Sequence, residues 1–168
     1  GHGTFVSSIA AGRTDLSNRI GSMMGVANNA KITVGTVYFD EVVNKVVTQQ
    51  GLSDEQFAKT IRFVVDQGAR VINNSWSTDA KWEVPMVDAA QRYIVDSPHT
   101  TSALNYALDK GAVIVFAAGN ESVGWPGAPS TLPSVDENIR RKGGWIVVAA
   151  TTNRGINPET NTIEMAQS

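Results

Sequence analysis

Cysteine is absent from the 168 residues, which removes disulfide cross-links, thiolate catalysis and thiolate metal sites together. Histidine is almost as scarce. His2 and His99 stand far apart, and no run of carboxylates has calcium-loop spacing, so neither a metal nor another cofactor is expected. A charge excess is also lacking. Fourteen Lys and Arg against sixteen Asp and Glu leave a net charge of −2, with no basic field to draw in phosphates, so nucleic acid is not expected as a partner. No apolar run approaches the roughly 20 residues of a membrane span. Neither an initiator methionine nor a signal peptide opens the sequence, so these residues are expected either to come from within a longer precursor or to be an engineered piece. What remains is a length suited to one domain with a substantial core.

Two segments share one local grammar. Residues 57–75 read as a helix, then Gly68-Ala69, then Arg70-Val71-Ile72-Asn73-Asn74-Ser75. Residues 102–120 read as a helix, then Gly111-Ala112, then Val113-Ile114-Val115-Phe116-Ala117-Ala118. In each, a glycine just past the helix can end it in the left-handed conformation, and the β-branched run that follows suits a parallel strand buried on both faces. Ser53 with Gln56 forms a capping box, and Phe57, Ile61, Val64 and Val65 fall on one helical face. Further strands are predicted over Lys31–Phe39 and Trp145–Thr151, with a short helix over 84–95. The alternation implies a parallel sheet with helices on its faces and right-handed crossovers. Residues 76–101 and 121–144, rich in aromatics, proline and glycine, follow the carboxyl ends of predicted strands. They read either as surface loops or as the ligand-binding edge of an open sheet.

Three features carry chemistry. His2 lies between Gly1 and Gly3, ahead of Thr4, a candidate helix N-cap, and of the small residues Ser7, Ser8, Ala10, Ala11 and Gly12. They suit a buried helix that would hold the ring in place, as a general base requires, although a lone histidine also serves for packing. Asn120 follows Gly119 at the end of the most apolar strand, where its amide either helps to build an oxyanion hole or opens a turn. Asn73-Asn74-Ser75-Trp76-Ser77 ends a strand whose exposed backbone can pair with an extended peptide, unless it is a plain edge over a buried tryptophan.

Taken together and in this order, the motifs resemble the subtilisin-like serine proteases, the subtilases. His2-Gly3-Thr4-x-Val6 is similar to that family's histidine motif. Gly25-Val26-Ala27 resembles its Gly-Val-Ala-Pro, with Asn28 in place of the proline. Val71 to Ser77 resembles the strand lining the substrate channel, where the family more often has glycine at the position of Ser77. Ala117-Ala118-Gly119-Asn120-Glu121 resembles the oxyanion-hole segment. The resemblance covers nearly the whole chain and implies a partial three-layer α/β/α sandwich with a parallel sheet. It implies that His2 is the general base and Asn120 the side-chain oxyanion donor. Ser75, Trp76 and Ser77 would form one wall of the primary specificity pocket, and Ala117, Ala118 and Gly119 the facing wall, with a peptide or protein as substrate. The Trp145–Val148 strand and an Asn153 to Met165 hairpin look most like the bacterial autotransporter branch, which implies a secreted or cell-surface protein.

The family's chain order is Asp, His, Ser. Within residues 1–168 nothing matches its aspartate strand, since Asp15 and Asp40 both follow His2, or its Gly-Thr-Ser-Met-Ala motif. Gly21-Ser22-Met23-Met24 imitates the latter but falls too early. The chain is therefore expected to be an incomplete catalytic domain, inactive by itself and prone to self-association through uncovered apolar surface and open sheet edges. A different class, a non-catalytic peptide-binding module on the same scaffold, is the alternative. An unrelated α/β hydrolase is excluded because no Gly-x-Ser-x-Gly elbow is present.

Overall fold

The computed structural model describes residues 2–13, 24–43, 45–78, 84–120 and 124–150. The chain divides into two compact units, Gly1–Gly35 and Thr36–Ser168. Ser22 and the Asn153 to Met165 hairpin lie outside the described residues.

The first unit is built on helix α1 (His2–Ala11). The helix starts at His2, so Thr4 sits in its first turn and does not cap it. Its carbonyl end is closed by a segment further along the chain. The N–H groups of Val26, Ala27 and Gly25 donate to the carbonyls of Ile9 (3.1 Å), Ala10 (2.8 Å) and Gly12 (2.8 Å). These bonds satisfy groups that a helix end leaves unpaired. The approach is close enough to require glycine, since a β-carbon at residue 25 would lie 2.6 Å from the Ala11 nitrogen. Against the expectation of a buried helix, α1 buries none of its residues, and Phe5 is 62% exposed. Small side chains permit burial, but burial also needs an apolar layer, and the described residues of this unit form no sheet.

The second unit begins with a hairpin. Strands β1 (Tyr38–Val43) and β2 (Val46–Gly51) pair antiparallel, with Val43 opposite Val46 and Lys45 at a φ of 66° in the turn. This corrects the predicted strand over Lys31–Phe39, because residues 31–37 have no regular structure. The β-branched pairs Val42-Val43 and Val46-Val47 lie either side of a two-residue connection, and local hairpin pairing outcompetes a solitary parallel strand.

Beyond the hairpin, the expected grammar appears. Helix α2 (Asp54–Asp66) opens with the reciprocal Ser53–Gln56 capping box, at 3.3 and 3.0 Å. It buries Ile61, Val64 and Val65 and ends where Gly68 takes a φ of 90°. Strand β3 (Val71–Asn74) follows. Helices α3 (Met86–Asp96) and α4 (Pro98–Asp109) come next, and Gly111, at a φ of 76°, closes α4 as Gly68 closes α2. Strand β4 (Val113–Ala117), a 3₁₀ stretch (Ala128–Ser134), helix α5 (Glu137–Lys142) and strand β5 (Trp145–Val148) complete the order.

The three strands form a parallel sheet in the order β3-β4-β5, with Asn74 opposite Phe116 and Phe116 opposite Val147. One face of β3 and β4 carries Ile72, Asn74, Ile114 and Phe116, all buried in one core with the inner faces of α2 and α4. The alternate positions Val71, Ile146 and Val148 are exposed. The α/β class read from the sequence is the observed one. Among the described residues, no helix is long and apolar enough to cross a membrane.

Asp54 ties the two long helices together. Ser97 supplies no side-chain cap for α4, and the Asp54 carboxylate does so from the neighbouring helix. It accepts the N–H of His99 and of Thr100, each at 2.8 Å. Burial alone would raise the Asp54 pKa. Hydrogen bonds from Thr100 and His99, with the charge of His99, outweigh it and hold the group below its ordinary 3.8. Burial, then the charge of Asp54, pushes the Tyr93 hydroxyl well above its ordinary 10.0. A carboxyl with a depressed folded pKa stabilises while ionised. Its contribution is complete above about pH 4 and fades as pH falls through 3.8 towards the folded value. Replacing Asp54 with Ala is expected to cost about 1 kcal/mol at pH 7, within the usual range for a cap. The deficit should shrink as pH falls below 3.8. Urea midpoints at pH 7 and pH 3 test this, and an equal deficit at both would exclude the ionised cap.

Candidate functional site

The candidate site residues fall in both units. His2, in the first, is the exposed first residue of α1. The remainder belong to the second, where β3 and β4 are hydrogen-bonded neighbours and both run on past their carboxyl ends. Ser75, Trp76 and Ser77 leave β3 without regular structure, each half-buried. Ala117 ends β4. The Ala118 N–H extends the ladder by donating to the Val148 carbonyl at 2.9 Å. Gly119 then turns the chain with a φ of 109°, a conformation that suits glycine, and delivers the exposed Asn120 at the rim.

Alternation along the β3 extension sorts its side chains. Asn73 and Ser75 share one side, where Asn73 Nδ2 donates to Ser75 Oγ at 2.8 Å. Asn74 and Trp76 share the other, Asn74 buried and Trp76 half-buried against the core. Asn74 is 4% exposed and is a bracket. Its Nδ2 donates to the carbonyls of Ile72 (3.3 Å) and Val115 (3.2 Å), and its Oδ1 accepts the Trp76 indole N–H at 3.2 Å. A buried amide is tolerated because its polar atoms are paired. The Trp76 ring stands edge-on to Phe57, with centroids 4.9 Å apart, and to Phe116, at 5.3 Å. Phe116 in turn stacks on Trp145 at 5.3 Å. The indole thus braces the strand from within, on the side away from Asn73 and Ser75.

One structural residue that sequence reasoning read only as part of a loop is Gly127. Its N–H donates to the Ala118 carbonyl at 3.0 Å, which fixes it to the β4 side. On the other side it abuts the β3 extension. A β-carbon there would lie 2.8 Å from the Thr78 carbonyl oxygen and collide with Ser77 Oγ. Gly127 has an ordinary φ of −59°, so it is close approach and not backbone conformation that demands glycine. Its own carbonyl accepts Ser130 Oγ at 2.7 Å and the Ser130 N–H at 3.1 Å. The Ser130 carbonyl accepts the Trp145 indole N–H at 2.9 Å. Residue 127 therefore bridges the two strand ends and is held from below. By contrast, a shallow recess of about 310 Å³ along α3 is lined by Asp88, Gln91, Arg92, Val95 and Asp96. All five are side chains of a single helix, and none belongs to the strand ends.

The two adjacent strand ends meet at the carboxyl edge of a parallel sheet, the edge at which open α/β sheets bind ligands. The chain belongs to the subtilase family, whose sequence model matches residues 1–167. It is 32% identical over 145 residues to a thermophilic serine proteinase of Bacillus sp. strain AK1, covering 82% of this chain and 27% of that protein. It is 33% identical over 124 residues to the C5a peptidase of Streptococcus pyogenes, covering 72% of this chain and 9% of that one. It is 25% identical over 169 residues to serotype-specific antigen 1 of Mannheimia haemolytica, covering 79% of this chain and 18% of the antigen. The chain thus spans little more than a quarter, or less, of the length of these relatives.

Proposed function

We propose that these residues belong to a secreted or cell-surface serine endopeptidase that cleaves peptide bonds by acyl transfer. In this reading His2 is the general base, taking the proton of a serine nucleophile and returning it to the leaving amine. The Asn120 amide hydrogen-bonds the oxyanion as negative charge develops on the substrate carbonyl. An extended peptide lies against Ser75, Trp76 and Ser77 and reaches towards Ala117, Ala118 and Gly119. The adjacency of those two strand ends, joined through Gly127, is the observation that carries the reading. The family relationship supports proteolysis in general. The likeness to a serotype-specific antigen supports an external location. Residues 1–168 hold no match for the family's aspartate strand or serine motif, so this polypeptide by itself is proposed to be inactive.

The test is made on the full-length protein encoded around these residues, assayed with peptide substrates. Asn120→Ala is expected to lower kcat by about 10² to 10³ with KM nearly unchanged. That is the cost known for the corresponding donor in subtilisin, a relative of this chain. A variant with wild-type kcat would remove Asn120 from the oxyanion hole.

A further inference from the structure

We infer that the β1–β2 hairpin joins two copies of this protein: the free edge of β2 pairs antiparallel with β2 of a second copy, making a four-stranded sheet about a two-fold axis. The inference is independent of the proteolytic reading. A lone two-stranded hairpin is at best marginally stable and needs a further strand or a packed face. Among the described residues this hairpin has no third strand. All six residues of β1 are exposed, and Val42, Val43, Val46 and Val47 are each more than half exposed.

The backbone decides which groups are free to pair. The Leu52 N–H donates to the Val37 carbonyl at 3.1 Å, so Leu52 faces β1. By the alternation of an antiparallel ladder, Val47, Gln49 and Gly51 then turn their N–H and carbonyl groups away from β1. Two copies can bond only in registers that set these residues against one another. The register centred on Gln49 places that residue opposite its own copy, Val47 opposite Gly51 of the second copy, Thr48 opposite Gln50, and Val46 opposite Leu52. Gly51 has the Tyr38 ring over it, since a β-carbon there would lie 3.6 Å from Tyr38 Cε1. On one face, a row across the four strands then reads Val42, Val47, Gly51, Tyr38. On the other it reads Val43, Val46, Leu52, Val37. Apolar residues of the two copies thus meet on both faces.

Charge selects β2 as the joining edge and a second copy as its occupant. β2 (Val46–Gly51) has no ionisable side chain and no proline, the residues that guard an exposed edge. β1 carries Asp40 and Glu41, and pairing β1 with itself about its own outward-facing residues would set Asp40 opposite Asp40. With β2 at the centre, the acidic residues of both copies lie on the outer strands, kept apart by two uncharged ones. The edge calls for an uncharged strand with valines at one end and glycine at the other, and β2 run antiparallel has that pattern.

The test is sedimentation equilibrium of the full-length protein at micromolar concentration, where the wild type is expected to be a dimer. Thr48→Lys with Gln50→Lys sets like charges opposite each other twice in the dimer and should raise the dissociation constant by about tenfold or more. Thr48→Lys with Gln50→Glu sets opposite charges there instead and should keep it within about threefold of the wild type. Both variants change the same two residues, so a hairpin that merely failed to form would weaken both alike. Gln49→Pro removes an outward donor without touching the bonds to β1 and should also dissociate the dimer. A wild type that stays monomeric, its β2 edge covered by another part of the full-length chain, overturns the inference. So does a dimer that the double lysine variant leaves intact, or one that the lysine–glutamate variant weakens as much.

Discussion

Replacing His2 with alanine in the full-length protein is expected to reduce kcat by a factor on the order of 10⁶ while leaving KM within a few-fold. That factor is the cost known for removing the histidine of subtilisin, a relative of this chain, and corresponds to about 8 kcal/mol of barrier. A neutral serine hydroxyl is a poor nucleophile. Without a base within hydrogen-bond reach, the attacking oxygen keeps its proton through the transition state. Substrate binding through strand and pocket does not involve that proton, so the loss should fall on kcat. The effect also depends on where the ring is held. His2 opens a ten-residue helix whose far end is fastened by three backbone hydrogen bonds from Gly25, Val26 and Ala27. If His2→Ala lowers kcat by less than about tenfold, His2 is not the base.

Much of the second unit was legible in the sequence because its signals are local and agree with one another. The glycines at 68 and 111 mark helix ends at the residues that adopt positive φ. The runs after them are strands, as β-branched residues favour, and they bury Ile72, Ile114 and Phe116. The short helix expected over 84–95 appears as Met86–Asp96. The signals failed where two structures compete for the same residues. Lys31 to Phe39 has the composition of a parallel strand, but Val46-Val47 lies within hairpin reach, and the strand starts later and turns back. The bracing of the site was not legible because it depends on contacts distant in sequence. Asn74 reads as a polar strand end, and only its position opposite Phe116 places its amide inside the core, 41 residues from the Val115 carbonyl it binds. Gly127 sits among several loop glycines and prolines. Its importance comes from Ser77, fifty positions earlier, which no local pattern reveals.

Phe116→Ala is expected to lower the unfolding free energy by about 4 kcal/mol, within the 3–5 kcal/mol usual for truncating a buried phenylalanine. Phe116 is 0% exposed in the central strand of the sheet. Loss of the ring leaves a cavity bounded by Trp76 and Trp145, and removes two aromatic contacts worth about 0.5–1.5 kcal/mol each beyond simple burial. Against a typical total stability of 5–15 kcal/mol, this is a severe loss. Urea unfolding should show it, with Phe116→Leu losing roughly a third as much because leucine refills most of the space. The substitution should also reach the site. Trp76 sits between Phe57 and Phe116, and its N–H is held by Asn74 on the β3 extension. Trp145 holds the Ser130 carbonyl that lies under Gly127. Slack at residue 116 therefore loosens both the β3 extension and the residue that bridges it to β4, and in the folded fraction kcat/KM should fall along with a change in tryptophan fluorescence. A stability loss below about 1 kcal/mol would mean that the aromatic row does not hold the strand ends in place. A full loss of stability with unchanged kcat/KM would mean that the Ala118 and Ser130 bonds hold Gly127 in place without the aromatic row.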